Sequence, residues 1–347
     1  MHKILRKTTM FIGLAAMALA SPHGAWAAGK KIGIAAREIT NDYNRGIIDG
    51  ARKVLEAAGD SVVVTDAQTD PRKLNEDIEN LINSHVDGII VQLGNAQQLA
   101  PEVAKANAAH IPVVTTSVGA LTPGAVTDID GDDALMSALM SRALLSSINY
   151  KGDVYVFSVP GAPILETRKR ILEAMVKDYP QVHLHDVPTQ HDPAQVQSQM
   201  EDILTANPDP GSIAAVWGAY DLLTSGAVQA IRAAGRPEIK VASIDGDRVG
   251  FQMLMEKGSP FIATVVQDVP HIGELAGQAM IDALAGKKDF PATMYTDAYV
   301  ATHDNAVAAA EKRWGPDVWQ KIQLDPKAVA AQWPQTGQVV VVRPTLP

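Results

Sequence analysis

The chain has 347 residues, 46% of them hydrophobic and 20% charged, with no cysteine and a formal net charge of −9. That is enough apolar material for two domains with separate cores, while the missing thiols exclude disulfides, thiol nucleophiles, thiolate metal sites and a lipid-modified N-terminal cysteine. The acidic balance, with no basic stripe, excludes nucleic acid as an expected partner.

Lys3, Arg6 and Lys7 precede an apolar run over residues 10–20, followed by Ala25, Trp26 and Ala27. A basic start, a short apolar segment and an A-x-A end mark an export signal, so residues 1–27 are expected to be cleaved. The run is too short for a permanent bilayer span. Cleavage takes three of the 30 basic residues and none of the 39 acidic ones, leaving 27 against 39, a balance of −12. The expected address is the periplasm.

Residues 30–36 (KKIGIAA) read as a first strand, 37–44 (REITNDYN) as a polar loop, and 45–58 as a helix closed by Gly59. A strand over 61–65 and a helix over 71–84 follow, the helix capped by Asp70 with a proline at its first position. Residues 86–119 form a strand–helix–strand unit, and 126–129 read as a crossing strand. A helix over 132–147 opens a second series: strand 153–158, helix 164–178, strand 182–187 and helix 193–206. A second strand–helix–strand unit occupies 212–247 (SIAAVWGAYDLLTSGAVQAIRAAGRPEIKVASIDGD). Strand 261–267, helix 270–284 and a strand-like piece over 294–302 complete the alternation. Apolar runs paired around amphipathic helices signal parallel strands buried on both faces, and their repetition predicts an α/β protein of doubly wound parallel sheets. Residues 303–347 carry Trp314, Trp319, Trp333 and an apolar run over 339–342, and read as a packed C-terminal extension.

In open parallel sheets, ligands sit just outside the carboxyl ends of the strands. In the unit 212–247 and just past it, those ends carry Trp217, Tyr220 and Asp221, then Asp245, Asp247 and Arg248. Rings and charges together point to a small-molecule site, although Trp217 belongs to an apolar strand and is expected in the core. The acids Asp128, Asp130, Asp132 and Asp133 hint at a calcium loop. The twelfth position counted from Asp128 is Leu139, however, where such a loop needs a bidentate Glu. A helix N-terminus accounts for these acids through capping and the helix dipole. The histidines lack metal-ligand spacing, and no GxGxxG, P-loop, G-x-S-x-G or HExxH occurs. No metal and no cofactor is expected.

The export signal and the segments KIGIAAREITNDYNRGIIDGARKVLEAAG, HVDGIIVQLGN, HIPVVTTS, LTANPDPGSIAAVWGAYD and IKVASIDGD together resemble the periplasmic sugar-binding proteins of ABC importers, ribose-binding subgroup, over residues 29–302. The resemblance implies two Rossmann-like lobes with parallel sheets, joined by a three-strand hinge near Ile129, Gln267 and Tyr295, with ligand held between them. The lobes would comprise residues 28–130 plus 268–295 and residues 131–267 plus 296–302.

The resemblance also implies ligand contacts. Asn41, Tyr43 and Asn44 stand on the first loop, and Arg37 ends the first strand. Arg168 opens the helix after the second lobe's first strand. His191 replaces an aromatic residue before Asp192, and Tyr220, Asp245 and Gln267 follow. The family's Asp-Arg pair after the fourth strand is replaced by Ser117 and Val118, so one hydroxyl clamp is missing. Taken alone, Arg168 would read as a solvated helix residue beside Lys169 and Arg170. Turned inward, Arg37 and Arg168 would be two cations in one cleft, opposed only by Asp245.

A sugar or polyol is the first expectation. A small sugar acid competes, because a guanidinium holds a carboxylate bidentately. The expected protein partner is an ABC permease, and the receptor itself is expected to be a monomer. Two other classes remain open: an exported hydrolase built on Ser117, His191 and Asp245, and the effector core of a transcription repressor. The export signal and the lack of a DNA-binding head before Lys30 argue against the repressor.

Overall fold

The computed structural model describes residues 29–344, so the expected export signal lies outside the described residues. The first lobe opens with β1 (Lys31–Ala36), α1 (Asp42–Ala57), β2 (Ser61–Asp66), α2 (Pro71–Asn83), β3 (Gly88–Gln92), α3 (Ala96–Ala108), β4 (Val113–Thr116) and β5 (Asp128–Gly131). The chain then builds α4 (Asp133–Ser147), β6 (Gly152–Ser158), α5 (Pro163–Val176), β7 (Val182–Pro188), α6 (Pro193–Ala206), β8 (Ala215–Gly218), α7 (Asp221–Ala233), β9 (Lys240–Asp245), α8 (Arg248–Met255) and β10 (Phe261–Gln267). It returns to the first lobe with α9 (Val269–Leu284) and β11 (Thr293–Thr296), and leaves again with β12 (Ala298–Thr302). The extension adds α10 (Ala306–Trp314), α11 (Val318–Ile322), α12 (Pro326–Gln332) and β13 (Val341–Val342).

Two sheets result. One has the order β11-β5-β4-β3-β1-β2 with every pairing parallel. The other runs β13-β12-β10-β9-β8-β6-β7, parallel from β10 to β7 and antiparallel at β12 and β13. The chain changes sheet after Gly131, at Asp268 and at Asp297. The fold class read from the sequence is the observed one: β3, β4 and β8 are buried at every position, as strands covered on both faces must be. Side-chain caps start α1, α2, α3, α4 and α6 at Asn41, Asp70, Asn95, Asp132 and Asp192. Each such cap is worth about 1 kcal/mol.

Three differences from the sequence reading bear on the site and the crossings. Helix α1 begins at Asp42, not at residue 45, because Asn41 Oδ1 accepts the Asn44 backbone N–H at 2.8 Å. Tyr43 and Asn44 therefore ride on the first helical turn. The strand read over 126–129 lies at Asp128–Gly131. The single piece read over 294–302 is two strands in different sheets, β11 beside β5 and β12 beside β10.

Trp217 is fully buried and donates Nε1–H to Ser141 Oγ at 3.3 Å, the core position expected. Helices α1 and α9 meet backbone to backbone. A Cβ on Gly50 would lie 2.1 Å from the Pro270 carbonyl oxygen, and one on Gly273 would lie 2.0 Å from that of Ile47. The extension is part of the second lobe: Val318, Ile322 and Val329 join its core, and β13 pairs with β12. Among the described residues no helix is long and apolar enough to cross a membrane.

Candidate functional site

The carboxyl ends of the central strands of both sheets face one another across a cleft of about 730 Å³. Arg37 and Glu38 follow β1, Leu93 and Gly94 follow β3, and Ser117 follows β4. From the opposite side come the turn 159–163 with Arg168 on α5, His191 after β7, Tyr220 after β8, and Asp245 and Asp247 at the end of β9. The lobes touch at the rim, where a Cβ on Gly119 would sit 3.0 Å from Ile164 Cγ2.

Arg168 is the centre of the second-lobe wall. It is 2% exposed; its Nε–H donates to Asp133 Oδ1 at 2.6 Å, and its Nη1 donates to the Ala219 carbonyl at 2.9 Å and to Asp245 Oδ1 at 3.1 Å. Burial opposes its charge, but Asp245 and Asp133 outweigh that and raise its pKa above the ordinary arginine value. Burial likewise lifts Asp133 to about 6 and Asp245 above the usual carboxylate range, with Arg168 pulling both down. The sequence expectation that Arg168 and Arg37 are opposed only by Asp245 is thus corrected: Arg168 has two carboxylates of its own. Asp133 escaped notice because an acid in the first turn of a helix reads as a cap. Asp132 is the cap, bonding Leu135 N–H at 2.9 Å, and Asp133 turns to the arginine.

Asp245 sits at φ 121°, a left-handed backbone that a non-glycine residue adopts at a cost of about 1–3 kcal/mol. Its Oδ1 takes both Arg168 Nη1–H and the Gln267 Nε2–H at 2.7 Å. Gln267 is fully buried and does not line the cleft, so it stands one layer behind the position expected for it. Neither Arg168 Nη2 nor Asp245 Oδ2 has a hydrogen-bond partner among the described residues. One donor group and one acceptor are therefore held rigidly by protein contacts and left open to the cleft.

The first-lobe wall is held by Glu38, which the sequence reading missed among the exposed-looking loop residues. Its carboxylate accepts from Thr40 N–H at 2.9 Å, from the Thr40 hydroxyl, and from Asn44 Nδ2–H at 2.8 Å. Burial works to raise its pKa, but these hydrogen bonds prevail and hold the carboxyl below its usual value. Asn41 and Asn44 line the cleft while their side chains serve this loop, Asn41 as cap and Asn44 as the Glu38 donor. Tyr43 Oη and Ser117 Oγ share a 2.6 Å hydrogen bond, with Ser117 at φ 57°. Burial, then the field of Asp130, keeps the Tyr43 phenol protonated.

His191 Nδ1 and Tyr220 Oη lie 3.0 Å apart, their rings tilted by 39°. Burial and then the nearby Arg37 depress the His191 pKa, so the imidazole is neutral. The Arg37 side chain makes no hydrogen bond or ion pair among the described residues, and burial lowers its pKa against the pull of Tyr220 and Glu38. Ser117, His191 and Asp245 do not assemble as a nucleophile–base–acid chain. Each is bonded elsewhere, to Tyr43, to Tyr220, and to Arg168 with Gln267.

Residues 32–288 match the family described as the periplasmic binding protein domain. The chain belongs to that family. A ribose import binding protein of Bacillus subtilis is 29% identical over 259 residues, covering 74% of this chain and 82% of the relative. A xylitol-binding protein of Mycolicibacterium smegmatis is 26% identical, covering 81% of this chain and 80% of the relative. Among solved structures, an ABC transporter solute-binding protein of Agrobacterium vitis with bound allitol is 28% identical at a TM-score of 0.77, covering 82% of this chain and 99% of that one. In this periplasmic binding protein the cleft between the lobes is therefore the place to look for a solute. The family match ends before the extension that begins at His303.

Proposed function

We propose that this protein captures a sugar or polyol in the cleft between its lobes and hands it to the membrane permease of an ABC importer, acting in the periplasm as a monomer without chemical change to the solute. The observation that carries this reading is the open pair on the second-lobe wall, Arg168 Nη2 and Asp245 Oδ2. A hydroxyl both donates and accepts, so neighbouring hydroxyls on one carbon chain satisfy such a pair together. The Tyr43–Ser117 hydroxyl pair and the His191 imidazole–Tyr220 phenol pair supply further contacts that carry no charge, as a neutral solute requires. The ribose-, xylitol- and allitol-binding relatives share this ligand class. The separate engagement of Ser117, His191 and Asp245 speaks against the hydrolase alternative.

One feature favours a second reading. Arg37 faces the cleft with no protein anion bonded to it, and a sugar acid would satisfy its guanidinium directly through charge-assisted bonds. A thermal-shift screen of pentoses, hexoses, polyols and their aldonic acids tests both readings, because a ligand that binds only the folded form raises the melting temperature. The expected hits are neutral polyols and sugars. Stabilisation by the acids alone would move the assignment to the second reading, and no response to any of them would refute both.

A further inference from the structure

The extension beyond β12 reaches back to the binding loop. Trp314, the last residue of α10, donates Nε1–H to the carbonyl of Gly246 at 3.2 Å, between the cleft residues Asp245 and Asp247. The guanidinium of Arg248 lies over the Trp314 ring, 4.9 Å from its centroid, and that of Arg313 lies 4.1 Å from the same ring. Arg248 then crosses to the other lobe, where its Nη2 meets Asp42 Oδ1 on the first turn of α1 at 2.9 Å. Behind it, Arg313 buries Nε and Nη2 with no hydrogen-bond partner, and Asp247 buries Oδ1 in the same condition. Burial lowers the Arg313 pKa against the opposing pull of Asp247 in the cleft wall, Tyr299, Asp268 at the second crossing and Asp42 on the first lobe. One cation of the extension is thus set among acids from both lobes and from the hinge.

We propose that Arg313 and Trp314 are positioning residues for the cleft, forming with Arg248 and Asp42 a latch that holds the two lobes together. The proposal rests on the receptor reading, in which the lobes open and close about the crossings. Trp314 fixes the loop 245–247 through the Gly246 carbonyl and presents Arg248 to Asp42. The stacked ring limits the arginine's rotamers, so less freedom is lost when the ion pair forms. Opening the cleft separates Asp42 from Arg248, whereas Trp314 and Gly246 travel together with the second lobe.

The chain's lack of cysteine allows two to be introduced cleanly as labelling sites at exposed Arg72 on the first lobe and Glu201 on the second. Pulsed electron–electron resonance then reads the distance between spin labels in the ligand-free protein and with saturating xylitol. Asp42→Asn and Trp314→Ala should each raise the open-to-closed ratio about threefold, the scale of a partly exposed ion pair. Asp42→Glu should restore most of the closed population, and Trp314→Phe, which keeps the ring but loses the N–H, should fall between. Circular dichroism reports folding of each variant, and Asp42→Asn, at a partly exposed site, keeps the test alive if Trp314→Ala does not fold. Unchanged distances in Asp42→Asn overturn the latch. The ligand-free comparison decides this even if xylitol does not bind, so the latch and the receptor reading fail separately.

Discussion

Replacing Arg168 by Met tests the electrostatic frame of the cleft. The substitution keeps a chain of similar reach but removes the Nε–H bond to Asp133 and the Nη1 bonds to Asp245 and the Ala219 carbonyl. Two carboxylates, Asp133 at 7% and Asp245 at 5% exposure, are left in the interior without their cation. Removing one partner of a buried ion pair costs about 3–5 kcal/mol, most of it the penalty of the stranded charge. That penalty depends on pH with a definite sign. Burial already raises both pKa values above the unfolded carboxylate value, to about 6 for Asp133, and loss of the arginine raises them further. An acid whose folded pKa is raised loses stability as pH climbs through that value. The deficit of Arg168→Met against wild type should therefore be about 3–5 kcal/mol at pH 8. It should shrink by about 1.4 kcal/mol or more at pH 5, for each unit by which the pKa rises. Urea unfolding followed by circular dichroism at the two pH values measures it. A deficit below about 1 kcal/mol at pH 8, the scale of a solvent-exposed pair, would show that Arg168 does not neutralise the two buried acids, as would a deficit equal at both pH values.

Other outcomes follow from the same geometry. Asp221 is fully buried with a pKa raised by burial to about 7, so wild-type stability should fall by about 0.8 kcal/mol between pH 6.5 and 8 on its account, and Asp221→Asn should flatten that slope in urea titrations. Glu38→Ala frees the loop that carries Asn41 and Asn44 and should weaken polyol binding by about three- to tenfold at little cost in stability, measured by calorimetry. Gly273→Ala sets a Cβ 2.0 Å from the Ile47 carbonyl oxygen and should cost about 1–3 kcal/mol of stability through forced separation of α1 and α9. Arg37→Ala should change xylitol affinity less than about threefold but weaken a bound aldonate by about tenfold or more; equal losses for both would mean that Arg37 bonds hydroxyls.

Much of the fold was legible because its signals are local. The continuous apolar runs of β3, β4 and β8 can be buried only between helices, and the Asp70 and Asp192 caps with their following prolines mark helix starts. The split of residues 293–302 between two sheets was not legible from those residues themselves, and only the resemblance placed a crossing near Tyr295. Both halves are extended, and nothing at Asp297 announces that the partner strand changes. In the site, Arg168 and Asp245 were reachable through the motifs around them, but their arrangement was not: Asp133 joins Arg168 from 35 residues away. Gln267 stands behind Asp245 because the inward face of a strand end points either to the ligand or to the layer beneath, and the sequence alone does not distinguish them. Glu38 sits in a loop whose polar residues all look solvated, and only their mutual hydrogen bonds single it out.

Calorimetric titration of the purified protein with xylitol, ribose and allitol, in the wild type and in the Asp245→Ala variant, decides whether the cleft is a sugar or polyol site. Saturable binding of at least one of these at one site per chain is expected, lost or weakened by about tenfold or more when the acceptor at Asp245 is removed. Absence of heat with every sugar, polyol and sugar acid tried, or binding that survives Asp245→Ala unchanged, would rule out a sugar or polyol site built on Asp245.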